Sequence, residues 1–260
     1  MTGIQRETIM AEREPEKNDS GLLEVCVDSV AGLEAAIAGG ADRIELCAAL
    51  DCGGLTPTIG LMQRAAQAPI PVFAMIRPRA GSFVFSPDEV AVMAADIHAA
   101  RQAGLSGVVL GASLPDGRLD LEVLGKLTAV ASGLAMTLHR AFDLVPDFEE
   151  ALEQAIALGF GRILTSGGAQ SVVTGFDRLK SLSKAADGRI TIMPGGGLRP
   201  DGIAPFWQAG LREFHASCSA PIEVDPVLVE FGFAKTGQMQ TDSDVVRRLA
   251  GAIGNCRTLP

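Results

Sequence analysis

Apolar and polar positions follow one recurring arrangement along the chain. An apolar run rich in β-branched residues is followed by a glycine-rich or polar turn, and then by a longer amphipathic segment of alanine, leucine and charged residues. The apolar runs indicate buried strands, and the amphipathic segments indicate helices that cover them. This unit occurs eight times, and the predicted strands are 22–28, 43–48, 71–78, 107–113, 134–142, 162–167, 190–196 and 213–217.

The residues at the ends of the amphipathic segments also favour helices. In the segment SPDEVAVMAADIHAARQAG, Ser86 can cap the first turn, Pro87 suits the first helical position and Gly104 suits the end. Strands that alternate with helices imply a parallel sheet. Eight such units in about 200 residues fit a closed (β/α)8 barrel, the TIM barrel.

We therefore predict an α/β fold with a single (β/α)8 TIM barrel domain over residues 21–260, which includes a C-terminal helical segment. Residues 1–20 are predicted to be a flexible N-terminal tail. An open doubly wound sheet is the alternative. It is disfavoured because no GxGxxG motif follows the first predicted strand.

Composition and charge restrict the classes of partner. The 260 residues are 47% hydrophobic and 20% charged, which is enough to bury a large core. A net charge of −9 disfavours binding to nucleic acid or to anionic lipid. No apolar run reaches the ~20 residues that span a bilayer, and the N-terminus lacks the apolar region of a secretory signal. We expect a cytoplasmic protein with small-molecule partners and free thiols rather than disulfides.

The first two predicted strands place polar side chains where a core is expected. Side chains alternate between the barrel lumen and the helix layer, and the apolar positions of both strands suit the helix layer. Glu24 and Cys26 on the first strand therefore face the lumen, as do Glu45 and Cys47 on the second. The same alternation sends His139 and His215 inward. Two carboxylates and two thiols are thus predicted to face one cavity.

Buried charges must pair with one another or bind a ligand, because an unpaired charge is costly to bury. Active sites of TIM barrels lie at the carboxyl ends of the strands, where several of these polar residues fall. One alternative is a purely structural polar core in which Arg77 pairs with the glutamates. The residues predicted to handle protons or touch a substrate are Glu24, Glu45, Arg77, His139, Asp143 and His215.

Glycine-rich loops follow the sixth and seventh predicted strands, and a serine-containing loop follows the eighth. Loops at these positions of TIM barrels often bind phosphate through backbone N–H groups. No lysine lies at the end of a predicted strand, which disfavours Schiff-base chemistry. The predicted anion-binding residues are Arg79, Ser166, Gly167, Gly168, Gly195, Gly196, Gly197 and Ser217.

The cysteines suggest a second kind of site. Cys26 and Cys47 on neighbouring strands, with His215 nearby, form a set of soft ligands suited to Cu(I) or Zn(II). Against this, free cysteine is often simply a buried core residue. Cys52 and Cys218 follow strands two and eight, and are predicted to lie near the same mouth of the barrel.

Seven motifs, in order, carry a resemblance to a known family. They are LLEVCVDS, GADRIELCAALDCGGLTPT, MIRPRAGSF, LHRAFD, ILTSGG, MPGGGL and EFHAS. From Leu22 to Ser217 the chain resembles the CutC family of copper homeostasis proteins. The resemblance implies a (β/α)8 barrel, a cytoplasmic location, a homo-oligomer and a proposed Cu(I)-binding role for Cys26 and Cys47.

Two functions remain open at this stage. The first is a copper-homeostasis protein that binds Cu(I) as its cofactor or cargo. The second is an enzyme that acts on a small phosphorylated or carboxylated metabolite at the mouth of the barrel. The segment 231–243, before the last predicted helix, is expected either to cover the mouth or to form a subunit contact.

Overall fold

The computed structural model describes residues 21–257. The predicted N-terminal tail, residues 1–20, lies outside the described residues. The barrel strands are β1 Leu22–Val27, β2 Arg43–Leu46, β3 Val72–Met75, β4 Gly107–Leu110, β5 Ala135–Leu138, β6 Arg162–Thr165, β7 Thr191–Pro194 and β8 Glu213–Ala216. The helices between them are α1 Val30–Gly39, α2 Ile59–Ala65, α3 Pro87–Ala103, α4 Leu121–Val130, α5 Phe148–Ala157, α6 Phe176–Ala186 and α7 Ile203–Gln208.

The eight strands form one parallel sheet that closes on itself. The sheet runs in the order β7-β6-β5-β4-β3-β2-β1-β8, so β1 pairs with both β2 and β8. A parallel bridge between Gly195 and His215 joins the two remaining edges. The fold is therefore a (β/α)8 barrel, as predicted. Each strand begins within one residue of the predicted position and ends one to four residues earlier, where the chain turns into a loop.

Two apolar layers hold the barrel together. Leu23, Val25 and Ile44 are fully buried in the layer between the sheet and the helices. A smaller cluster that includes Phe73 and Val109 fills part of the lumen. The two layers follow the alternation of side chains along each strand. That alternation is what places the intervening polar residues inside the barrel.

The predicted helix after β3 shows how local signals set the element boundaries. The Ser86 hydroxyl accepts a hydrogen bond from the Glu89 amide, and the Glu89 carboxylate accepts one from the Ser86 amide. This capping box supplies partners for otherwise unpaired groups of the first turn. Gly104 ends the helix in the left-handed conformation, as glycine readily does.

After β8 the chain makes an excursion before it completes the outer ring of helices. Ser219–Pro221 (β9) pairs with Met239–Thr241 (β10), and the short helix Pro226–Glu230 (α8) lies between them. Ser243–Cys256 (α9) then packs against α1, α7 and β1, and so acts as the eighth helix of the barrel. Within residues 21–257, no helix combines the length and the apolar character needed to cross a membrane.

The excursion also touches the loop that follows β2. Lys235 Nζ lies 3.4 Å from Asp51 Oδ2, with both side chains largely exposed. This contact places part of the predicted segment 231–243 beside the mouth of the barrel. Phe231 and Phe233 stack on each other and are exposed to solvent. The subunit contact expected for this segment stays a prediction.

Candidate functional site

The carboxyl ends of the strands open into one cavity of about 620 Å³. Among the described residues four arginines line it but only one carboxylate, Glu45, although the whole chain carries a net charge of −9. The cavity is therefore positively charged, although the molecule as a whole is negatively charged. The four arginines are Arg77, Arg140, Arg199 and Arg248.

Three adjacent strands bring a thiol, a carboxylate and an imidazole together in this cavity. Cys26 on β1 is level with Glu45 on β2, and His215 lies on β8 at the other side of β1. One ligand atom from each of the three residues lies within 4.8 Å of the other two. His215 Nε2 is 2.9 Å from Glu45 Oε2. We refer to these three residues as the Cys–Glu–His cluster.

The charges of this cluster are coupled. Burial lowers the pKa of His215, but attraction from Glu45 and from Cys26 outweighs burial and holds that pKa well above its usual value. The raised pKa favours the protonated imidazole, which can donate a hydrogen bond to Glu45 Oε2. The cluster can therefore release the His215 proton, and a metal ion can take the place of that proton.

Cys47 lies beside the cluster rather than inside it. It follows Glu45 by two residues on the same face of β2, and its thiol donates a 3.7 Å hydrogen bond to Glu45 Oε2. Burial, followed by the Glu45 charge, raises the pKa of Cys47 well above the ordinary thiol value. Cys47 is therefore a neutral thiol packed against Phe73 and Met75.

The two other predicted mouth cysteines differ in exposure. Cys218 is buried and lines the cavity, and burial, with a contribution from Cys26, raises its pKa to about 12. Cys52 is exposed in the loop after β2, where its carbonyl accepts a hydrogen bond from Arg77. Both lie near the mouth of the barrel, as expected.

Among the described residues Arg77 does not pair with the glutamates, so the alternative of a polar core built on Arg77 does not describe this lumen. Glu24 is instead bound by Arg43, whose guanidinium also donates to Glu213 Oε2 at 2.6 Å. Arg162 donates to the same Glu213 oxygen at 3.1 Å. These four residues form a charge network in the lumen, on the side of the cluster away from the mouth, and none of them lines the cavity. Glu24 is thus engaged in a structural contact.

Arg77 binds backbone carbonyls instead of carboxylates. Its Nη1 donates to the carbonyls of Cys52 and Gly54, and its Nη2 donates to the carbonyl of Gly81. The guanidinium therefore holds together the loops that follow β2 and β3. It remains a cation inside the cavity, with no carboxylate partner among the described residues.

His139 is held as a neutral imidazole at the end of β5. The Ala141 amide donates to His139 Nδ1 at 3.2 Å, which assigns the ring proton to Nε2. Burial and the nearby charge of Arg77 lower the pKa of His139 to about 3. His139 is therefore suited to donate a hydrogen bond rather than to act as the predicted base.

The predicted anion site after β6 already contains a carboxylate of the protein. Asp143 accepts hydrogen bonds from the amides of Ser166 and Gly168, both at 3.0 Å, and from Thr165 Oγ1 at 2.5 Å. The Gly167 amide donates to Thr165 Oγ1. The Asp143 carboxylate thus accepts the hydrogen bonds that a bound anion was expected to accept, and these donors are paired without a ligand.

The loop after β7 differs, because part of it faces the cavity. The Gly195 amide donates to the carbonyl of Thr165, so Gly195 continues the strand pairing. Gly196 and Gly197 line the cavity with φ of 112° and 78°, a region that favours glycine. Ser217 also lines it. Of the predicted anion-binding residues, Gly196, Gly197 and Ser217 therefore remain available to a ligand.

Arg79 does not reach the cavity. Its Nε pairs with Glu89 in α3, and its other nitrogens donate to loop carbonyls, including that of Val84. Sequence reasoning missed Arg140, Arg199 and Arg248, which do line it. Arg140 was hidden because it directly follows the inward His139, where the strand ends and alternation no longer applies.

The fold and the site define a (β/α)8-barrel protein with a Cys–Glu–His cluster in a cationic cavity. The family model described as the CutC family matches residues 21–220. A CutC family protein of Agrobacterium fabrum is 58% identical over 231 residues, which cover 88% of this chain and 92% of that protein. One of Rhizobium meliloti is 56% identical over 229 residues, covering 87% and 94%. The chain therefore belongs to the CutC family.

Solved structures agree with this assignment. A CutC structure from Streptococcus agalactiae, whose name assigns it to copper homeostasis, has a TM-score of 0.73 and 32% identity, covering 76% of this chain and 98% of that one. A thiamine phosphate pyrophosphorylase from Pyrococcus furiosus has a TM-score of 0.58 at 14% identity, covering 92% and 98%. The second likeness shows the shared barrel fold alone.

Proposed function

We propose that the protein binds Cu(I) at the Cys–Glu–His cluster, in the copper-homeostasis role that the family name carries. The observation that supports this most directly is the convergence of the three ligand atoms within 4.8 Å. A thiolate and an imidazole are ligands that suit Cu(I), and both belong to the cluster. The cysteines of the described residues are all free, which suits a cytoplasmic setting.

Cys26 is the primary sulfur ligand in this proposal. It faces the cavity, and it shares the cluster with a histidine that a metal can deprotonate. Cys47 is the proposed second thiol, because it contacts the same Glu45 carboxylate. Its raised pKa opposes metal binding, since a thiol must lose its proton to coordinate. The two cysteines are therefore expected to contribute unequally.

An anaerobic competition titration against a tight Cu(I) chelator tests this proposal. The wild-type protein is expected to withdraw one equivalent of Cu(I). The Cys26→Ser variant should bind about 100-fold more weakly, or about 2.8 kcal/mol, because it loses the soft ligand that faces the cavity. Cys47→Ser should weaken binding less.

The chain offers a matched control for this titration. Cys52→Ser removes an exposed thiol from the loop after β2, outside the cluster, and should leave Cu(I) affinity unchanged. If Cys26→Ser competes for Cu(I) as well as the wild type does, Cys26 is not the ligand and the proposal fails.

The charge of the cavity favours a second candidate function, an enzyme that acts on a small phosphorylated or carboxylated metabolite. Four arginines against one carboxylate make a poor entrance for a metal cation but a suitable one for an anion. A volume of about 620 Å³ is in the range of small-molecule sites and exceeds what one ion needs. Gly196, Gly197 and Ser217 would help to hold the anionic group, while Glu45 and His215 handle protons.

A further inference from the structure

Two buried N–H groups in the cavity wall have no hydrogen-bond partner within the described part of the chain, residues 21–257. They are Nε of Arg77 and Nε2 of His139, on side chains that are 6% and 3% exposed. Both residues line the cavity. Buried donors in native proteins are nearly always paired, so a pair of unpaired ones in the same wall needs an explanation. A ligand atom that accepts hydrogen bonds is one.

The chain holds His139 in a defined orientation. Its Nδ1 is fixed by the Ala141 amide, so Nε2 carries the proton. A side chain at Gly111, directly after the neighbouring strand β4, would place its Cβ 2.5 Å from His139 Cε1, so the absence of a side chain there admits the ring. Phe83 packs against the ring at a centroid distance of 4.7 Å. The donor is therefore held in place before any ligand arrives.

Arg77 is fixed in a similar way. Three loop carbonyls bind its terminal nitrogens, and the Phe83 ring lies 4.9 Å from its Cζ. One ring, Phe83, thus packs against both donor residues. Arg77 adds a positive charge that no nearby carboxylate neutralises among residues 21–257. The fixed donors and the fixed charge suit an oxygen that carries negative charge.

The position of Arg77 and His139 relative to the Cys–Glu–His cluster indicates which end of a ligand they would bind. The cluster is carried by β8, β1 and β2, while Arg77 follows β3 and His139 follows β5, the strand opposite β1 in an eight-stranded ring. Glu45 Oε1, on the cluster side, is a buried acceptor without a partner among residues 21–257. The unpaired donors thus lie apart from the unpaired acceptor, so an oxygen acceptor of a bound molecule is expected at the end that meets Arg77 and His139.

We propose that Arg77 and His139 together bind a carboxylate or carbonyl oxygen of a small organic acid in the cavity. This inference rests on the second candidate function, that the cavity takes a small anion. The Arg77–His139 site is separate from the rim of the cavity, which Arg140, Arg199 and Arg248 form. Loss of either buried donor should weaken binding of the ligand at least tenfold, because the ligand atom that it paired with then stays unpaired in the complex.

Nitrogen-15 NMR of histidine-labelled, metal-free protein tests this proposal, with oxalate as the probe. The chain has three histidines, so each ring can be assigned by one substitution. Without oxalate, His139 should show the neutral Nε2–H form. On titration the His139 Nε2 signal should shift and saturate, while the signal of the exposed His98 stays in place.

Matched variants separate this proposal from the anion-binding function. His139→Gln retains an N–H donor near the same position and should keep oxalate affinity within a few-fold, whereas His139→Phe should lose tenfold or more. Arg77→Lys keeps the charge but removes Nε–H, and should also weaken binding. Arg140→Met removes a rim arginine together with its contacts to Asp143 and Ser166, and tests the broader anion function. Circular dichroism and the unfolding temperature of each variant establish that it is folded.

Each result has a defined meaning. If oxalate raises the unfolding temperature and Arg140→Met abolishes the effect, but the His139 signal does not move, the Arg77–His139 site is wrong and the anion function stands. If oxalate binds to the wild type and shifts His139, both stand. If oxalate has no effect on stability or on any histidine signal, both are overturned.

Discussion

Replacing Arg43 with methionine is expected to lower the free energy of unfolding by about 3–5 kcal/mol. Arg43 is 4% exposed and pairs with Glu24, which is fully buried, and with Glu213. Methionine has a similar length but no charge, so Glu24 loses the guanidinium that donates to it and retains only the weaker contact with His215 Nε2 at 3.9 Å. The cost comes mainly from that uncompensated charge rather than from lost packing.

Urea denaturation measures this effect, and the chain supplies a matched control. Arg64 pairs with Glu34 at 3.0 Å on the surface, with side chains 48% and 62% exposed. Arg64→Met should cost less than about 1 kcal/mol, as exposed pairs do. Adding Glu24→Gln to Arg43→Met should recover part of the loss, because the orphaned charge is removed. Equal costs for the two arginine variants would contradict this account of the lumen.

Replacing Asp143 with alanine is expected to cost about 3 kcal/mol and to release the loop after β6. The Asp143 carboxylate accepts hydrogen bonds from Thr165, Ser166 and Gly168, and pairs with Arg140 Nε at 2.6 Å. Charge-assisted hydrogen bonds are worth about 1.5–3 kcal/mol each and do not add independently. Several donors would lose their partner at once.

Urea denaturation and amide hydrogen exchange check this prediction together. The Gly168 amide should exchange much faster in Asp143→Ala, while amides of β1 change little. Asp116 serves as the control, since its carboxylate pairs with Arg118 at 2.8 Å on the surface and its loss should cost less than about 1 kcal/mol. Unchanged protection of Gly168 would show that Asp143 does not hold the loop, and would reopen that loop as a ligand site.

The barrel could be predicted because its signals are local. Eight apolar runs separated by amphipathic segments define the strands, and alternation within each run sends Glu45, Cys26 and His215 into the lumen. The same alternation also carries Arg43 and Glu213 inward, because they share the face of Glu45 and His215 on their strands. The internal partner of Glu24 could therefore have been inferred from the sequence, although the only internal pairing considered there was with Arg77.

Other features depend on relations between distant segments. The register of β1 against β2 sets Cys26 level with Glu45 rather than with Cys47, and a single sequence does not give the register between strands. The loop after β6 looks open to a phosphate in sequence, but its partner Asp143 comes from the preceding βα loop. Glycine-rich loops bind internal carboxylates and ligand anions through the same N–H groups, so only the fold distinguishes the two.

X-ray absorption at the copper edge, on protein loaded with one equivalent of Cu(I), tests the proposed metal site most directly. The account predicts sulfur and imidazole nitrogen among the nearest neighbours of copper in the wild type and in Cys47→Ser. We expect the number of sulfur neighbours to fall in Cys26→Ser, all sulfur to be lost in the Cys26→Ser, Cys47→Ser double variant, and imidazole to be lost in His215→Asn. A sulfur coordination number that is unchanged in Cys26→Ser would contradict the account, because copper would then be bound away from the Cys–Glu–His cluster.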